Sequence, residues 1–164
     1  MKKICVLACA MASLFSAPVW ANEAGKSDTG LDYNYLGVDY ASYTISSTSG
    51  YAGYKVNGSV LVNQNIYLLA NYFNVDKSST VYEKSNIGLG YRMPIAANAD
   101  FFTSLAYYSQ TKEQSTTKAT NTGYNLSLGA RAKISSDADI TGGYSYISAG
   151  SYSYNNFNLS IKYN

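Results

Sequence analysis

The chain has 164 residues with 12 basic and 10 acidic groups, no histidine and two cysteines. Without a basic excess it offers no face for nucleic acid, and its length suits one domain and not two. Lacking histidine, any metal-ligand cluster and any phosphate-cradling glycine loop, it gives no ground for a cofactor or for catalysis.

The N-terminus reads as a secretory signal peptide over residues 1–21. Met1-Lys2-Lys3 is basic, Ile4 to Ala17 is apolar, and Val19-Trp20-Ala21 is a small-x-small cleavage site. The apolar stretch is too short for a spanning helix, although a retained N-terminal anchor is the alternative. Cleavage removes Cys5 and Cys9, and with Lys2 and Lys3 gone ten basic groups face ten acidic ones. Residues 22–30 then form a flexible lead-in, and 31–164 the folded domain.

After residue 21 no apolar run approaches the ~18 residues of a membrane helix. The rest of the chain alternates between apolar and polar residues. A β-rich stretch at 31–45 is succeeded by a strand with Tyr54, Val56, Gly58, Val60 and Val62 on one face and Lys55, Asn57 and Ser59 on the other. The stretch 66–75 leads to Ile87, Leu89, Tyr91 and Met93, opposed by Asn86, Gly88, Gly90 and Arg92. The stretch 99–110 leads to Tyr124, Leu126, Leu128, Ala130, Ala132 and Ile134, opposed by Asn125, Ser127, Gly129, Arg131 and Lys133. Last, 138–148 leads to Phe157, Leu159, Ile161 and Tyr163, opposed by Asn156, Asn158, Ser160 and Lys162. This period of two predicts eight strands, each with one apolar face.

Short turns are expected at Asn63 to Asn65, Pro94 to Asn98 and Ser135 to Asp137, alternating with Ser46 to Gly50, Asp76 to Ser85, Thr111 to Thr122 and Ala149 to Ser151. Of the second set, 76–85 and 111–122 are long, polar and charged. Alternating short and long connections suit a transmembrane antiparallel up-and-down β-barrel, with short periplasmic turns and long outer loops. A soluble lipocalin-like barrel alternates too, but needs a charged exterior. Here the polar faces carry mostly Asn, Ser, Thr and Gly. Their charges, Asp32, Arg92, Arg131, Lys133, Asp139 and Lys162, fall near the periplasmic strand ends as a lumen cluster. Arg92 and Arg131 are expected to pair with Asp32 and Asp139 and plug the lumen, with Gly88, Gly90, Gly129 and Gly143 making room. Among the 18 tyrosines, Tyr51, Tyr54, Tyr72, Tyr124, Tyr144 and Tyr154 lie toward outer strand ends and Tyr33, Tyr91 and Tyr163 toward inner ones, as at a lipid–water boundary. In lipid an open edge leaves backbone groups unpaired, so the eighth strand is expected to pair with the first.

Three strands share a template: Asn86 to Arg92, Asn125 to Arg131 and Asn158 to Asn164. The last, through Phe157, Leu159, Ile161 and Tyr163, resembles the C-terminal signal read by the barrel-assembly machinery, departing from it in the final Asn164. With Tyr33-Asn34-Tyr35, Gly58-Ser59-Val60, Asn65-Ile66-Tyr67-Leu68-Leu69, Gly88-Leu89-Gly90-Tyr91, Ala99-Asp100 with Ala106-Tyr107, and Gly123-Tyr124 with Gly129-Ala130-Arg131, the domain resembles small outer-membrane barrels of the OmpX and OmpA transmembrane type. Within that group it is similar to the Ax-twenty-one-like family. The resemblance implies the fold and the cell outer membrane, and leaves activity open.

Two functional classes remain. One is a structural or surface-interaction role, with Lys77, Glu83, Lys84, Lys112, Glu113 and Lys118 as outer-loop contacts able to bridge lipopolysaccharide phosphates or stay hydrated. The other is binding or passage of a small apolar molecule. It is motivated by strands that are apolar on both faces: Tyr67, Leu69 and Phe73 against Ile66, Leu68 and Tyr72, and Phe102 and Tyr108 against Phe101, Leu105 and Tyr107. The expected surroundings are outer-membrane lipid and lipopolysaccharide, with the assembly machinery during insertion. The expected state is a monomer.

Overall fold

The computed structural model describes residues 29–45 and 48–163, with side chains outside 42–49 and 163. The expected signal peptide, most of the expected 22–30 lead-in, Ser46, Ser47, the Tyr163 side chain and Asn164 lie outside them. Eight strands succeed one another: β1 (Tyr35–Ile45), β2 (Thr48–Leu61), β3 (Ile66–Lys77), β4 (Thr80–Ala96), β5 (Ala99–Gln114), β6 (Thr117–Ser135), β7 (Ala138–Ala149) and β8 (Tyr152–Tyr163). Each pairs antiparallel with the next, in the order β1 to β8.

The faces separate as the alternation requires. Leu36 and Val38 of β1, Ile87 and Leu89 of β4, Leu105 and Tyr107 of β5, Leu126 and Leu128 of β6, and Phe157 and Leu159 of β8 point outward, and Phe157 and Leu159 keep 80% and 77% of their surface exposed. The inner wall carries Asn57, Asn71, Asn86, Asn125, Ser127, Ser145 and Asn158. An exterior of this kind is stable against hydrocarbon and costly in water, so the sheet curls into a transmembrane barrel, apolar outside and polar within. Two strands are apolar on both faces, and the structure turns Tyr67, Leu69, Phe73, Phe102 and Tyr108 inward.

Closure departs from expectation. Among the described residues the ladder ends at β1 and β8, with no pairing between them. The two edges meet instead through inward side chains, with Lys162 Nζ 4.6 Å from the Tyr35 ring centroid. Lipid is what makes an unpaired edge expensive. The chain by itself, with Tyr35 and Lys162 filling the seam, leaves that ladder unmade.

The long outer loops are also corrected. Residues 76–85 and 111–122 continue the strands, and the connections shrink to Ser78-Ser79 and Ser115-Thr116. Lys77 pairs with Thr80, and Gln114 with Thr117. The segments are polar, but Thr80, Val81 and Tyr82 and the threonines 111, 117, 120 and 122 favour extended backbone, and a ladder satisfies itself in water. Ser78 and Ser115 take φ of 52° and 50°, as does Gly150 (62°) at the matching position of the β7–β8 turn. A positive φ at the first residue of a two-residue hairpin suits the twist of the strands and is natural for glycine. At the other end Pro94 lies within β4, beside a register shift, and the turn is Ala97-Asn98.

Candidate functional site

The periplasmic end of the lumen is closed by two ion pairs and a strap of chain. Arg131 grips Asp139 with two bonds, Nε to Oδ1 at 2.9 Å and Nη2 to Oδ2 at 2.7 Å. Its third contact runs from Nη1 to the Asp32 backbone carbonyl at 2.7 Å. Arg92 donates to Asp100 at 2.7 Å and to the Gln64 carbonyl at 2.6 Å. The expected Arg92–Asp32 pairing is therefore corrected. Asp100, on the neighbouring strand of the β4–β5 hairpin, is the carboxylate in reach, while Asp32 accepts from the Asn34 N–H. Residue type alone leaves Asp100 unassigned, because a carboxylate beside a turn reads as turn chemistry; its place two rungs along the ladder from Arg92 is the usable signal.

Between the guanidiniums lies Tyr33, its ring centroid 5.6 Å from Arg92 and 5.3 Å from Arg131. With Leu31 it is buried against Leu61 and Tyr67. The backbone of 29–34 thus crosses the barrel mouth, pinned through the Thr29 hydroxyl and the Asp32 carbonyl. Lys133 sits at the rim, 3.5 Å from the Gly30 carbonyl, and Lys162 at the seam.

Not every tyrosine seeks the lipid boundary. Tyr54 and Tyr72 pack together on the outer face, as do Tyr124 with Tyr146 and Tyr144 with Phe157. Tyr51 and Tyr154 point inward instead, because their positions along the strand place them on the lumen side, and Tyr33 is carried inward by the strap. Tyr51 joins Ala41, Phe73, Val75 and Tyr82, and Tyr154 joins Tyr108, Ile147, Ala149 and Tyr152. The Tyr108 and Tyr154 hydroxyls lie 3.0 Å apart. Two of the glycines expected to make room for large inward groups stand against rings. A Cβ at Gly90 would overlap the Tyr67 ring, and one at Gly129 would come within 2.7 Å of Phe102 Cζ. At these two positions the larger inward group is an aromatic and not an arginine, while Gly88 stands against the Ala106 backbone and Gly143 against the Asn158 amide.

Between these layers a cavity of about 1120 Å³ remains. A narrow eight-stranded barrel is expected to be filled by side chains, and here the small Asn, Ser and Gly of the mid-wall leave the centre open. Its wall includes Asp39, Lys55, Lys84, Arg131, Asp139 and Lys162.

The six charges assigned to outer loops divide. Lys84 faces the cavity, its Nζ 5.6 Å from the Phe73 ring centroid, and Lys112 lies at the same distance from Tyr82. Glu83 accepts from the Tyr72 hydroxyl at 3.0 Å on the outer face. Glu113 and Lys118 form an exposed pair at 3.1 Å, and Lys77 ends β3 beside the hairpin turn.

Strands β4, β5 and β6 run to 17, 16 and 19 residues, against 11 for β1 and 12 for β7 and β8. A tilted strand crosses a bilayer in about 9–11 residues, so the central strands overshoot it by roughly 20 Å. The tips of the two central hairpins are joined by Ser115 N–H donating to the Ser79 carbonyl at 3.1 Å. The β6–β7 ladder starts only at Gly123 opposite Ala149, which leaves 117–121 of β6 as the edge of the projecting sheet among the described residues.

A family model described as outer membrane protein beta-barrel domain matches residues 7–164. Among solved structures the chain is similar to Ail, the attachment invasion locus protein of Yersinia pestis, at 11% identity and a TM-score of 0.48, over 77% of this chain and 89% of that one. The structure of Ail in complex with the heparin analogue sucrose octasulfate is similar over the same shares at 11% identity, with a TM-score of 0.50. At such identity the likeness concerns the fold alone. No curated protein sequence matches the chain.

Proposed function

The chain belongs to the family of outer membrane protein β-barrel domains and resides in the outer membrane, and on that premise we propose a non-enzymatic surface-interaction role carried by the projecting sheet of β3 to β6. The observation behind this reading is the β6 edge. A two-residue turn makes Gln114 and Thr117 a hydrogen-bonded pair, so bonding toward β5 recurs at Ala119 and Asn121. Lys118 and Thr120 therefore direct their backbone N–H and C=O away from β5. An exposed strand with such groups is a template on which a partner segment can add another strand. Short Thr, Asn and Lys side chains keep it soluble, and Lys118 is placed to meet lipopolysaccharide phosphates.

The test compares adhesion and autoaggregation of cells displaying the wild type, Thr120→Pro, and a deletion of 112–120. Proline at 120 removes an outward N–H while sparing the β5 ladder. Loss of surface phenotype with heat-modifiable gel mobility retained is the expected result. Full phenotype in both variants would remove this reading.

A second reading has its own observation. The central cavity, with Tyr67, Leu69 and Phe102 on its wall, supports binding of a small molecule with apolar surface inside the barrel. Saturable binding above that of empty bilayers tests it.

A further inference from the structure

The free edge of β6 is short, and its pattern is complementary to itself. Among the described residues it comprises 117–121, because Gly123 already faces Ala149 and the Thr122 carbonyl accepts from the Gly150 N–H at 3.1 Å. Its sequence is Thr117-Lys118-Ala119-Thr120-Asn121. Lys118 and Thr120 carry the outward backbone groups, and Ala119 stands between them.

An antiparallel ladder sets residues with facing backbone groups directly opposite each other, and each such pair exchanges two bonds. With a two-fold axis at Ala119, Lys118 of one copy meets Thr120 of a second, and Thr120 meets Lys118. Thr117 meets Asn121 in the same way, and Ala119 meets its own counterpart. Every outward N–H and C=O of Lys118 and Thr120 then has a partner. Moving the axis to Lys118 sets two ammoniums against each other, a like-charge pair that weakens a ladder. Moving it to Thr120 sets Lys118 against Thr122, whose carbonyl Gly150 already takes. Ala119 is the position that remains. Lys118 is paired with Glu113 of its own sheet at 3.1 Å, so no bare cation is brought against the second copy.

The direction of the strand fixes where that copy sits. β6 runs from the outer tip toward the periplasmic end, so an antiparallel partner points its own tip the opposite way. Its barrel therefore lies in a facing membrane. Copies side by side in one membrane present β6 parallel. Their outward residues are then level, whereas a parallel ladder staggers them.

We propose that the 117–121 edge of β6 pairs antiparallel with the same edge of a second copy in an opposing membrane, about a two-fold axis at Ala119. The assignment rests on the β6 reading above and names its partner. One contact is small, and an array of copies on two facing surfaces multiplies it.

The test uses the refolded barrel in vesicles of zwitterionic lipid, in two batches that differ in lipid dye and in the affinity tag on the protein. Wild-type vesicles are expected to cluster across the dyes and not with bare vesicles. Thr120→Pro removes an outward N–H from each copy and should cut clustering about tenfold. Under mild oxidation Ala119→Cys should give disulfide dimers bearing both tags, because opposed residues at such a site bring their Cα atoms into disulfide range. Thr117→Cys, which faces Asn121 across the axis, should link only when mixed with Asn121→Cys. No clustering of the wild type, clustering with bare vesicles, absence of mixed-tag dimers or a Thr120→Pro without effect would each overturn the self-pairing. If Thr120→Pro nevertheless lowers the adhesion of cells, the β6 edge stands with a partner of another chemistry; if it does not, both readings fall. Should Thr120→Pro lose the heat-modifiable band, the cysteine variants decide.

Discussion

The two ends of the barrel handle charge in opposite ways. At the periplasmic end both guanidinium–carboxylate pairs are short and buried: Arg92 and Asp100 are 1% and 0% exposed, and Arg131 lies in a bidentate grip on Asp139. At the outer end the Glu113–Lys118 pair is about half exposed, and Lys112 rests over the Tyr82 ring. The difference teaches that fixed charge closes the lumen where the chain strap enters. Hydrated charge is left where the sheet projects into water.

The comparison is broken most severely at its buried end. Asp139→Ala leaves the Arg131 guanidinium without its carboxylate in a closed site, and is expected to cost about 3–5 kcal/mol in urea unfolding of the refolded barrel. The double change Arg131→Met with Asp139→Leu should cost far less, because no charge is stranded. An equal loss in both would mean that shape, and not charge, holds the end together. One step down in size, Gly90→Ala forces the Tyr67 ring off the wall. An overpacking loss of about 1–3 kcal/mol is expected, together with a changed tyrosine near-ultraviolet signal.

The outer end responds more weakly and in both directions. Ser115→Gly relieves a left-handed backbone at a turn, and a gain of up to about 1 kcal/mol should appear as a raised urea midpoint. A loss there would mean that the Ser115 side chain matters more than its φ. Smallest of all, Glu113→Ala removes a solvent-screened pair, and a shift within about 0.5 kcal/mol is expected. A loss near that of Asp139→Ala would erase the contrast between the two ends.

The strands, their faces and the membrane were legible because a period of two is a local property that each residue reports with its neighbours. Leu89 beside Gly90 and Leu128 beside Gly129 already state which side meets lipid. Local pattern also placed Arg131 with Asp139, since both approach the same periplasmic hairpin. It failed for Arg92, whose partner Asp100 is chosen by register across a hairpin and not by composition. It failed too for 76–85 and 111–122, where polarity suggested loops although the threonines and Tyr82 supported a ladder. Polarity reports solvent, and strand length is set by pairing.

What the sequence determined by itself, then, is the alternation and the chemistry of each face, because these depend on residue type and spacing along the chain. Only the tertiary structure decided that Tyr33 lies between two guanidiniums, that an open cavity survives at mid-lumen, and that Lys55, Phe73 and Lys84 stand side by side. Those relations join residues distant in sequence, and the register and curl of the sheet bring them together.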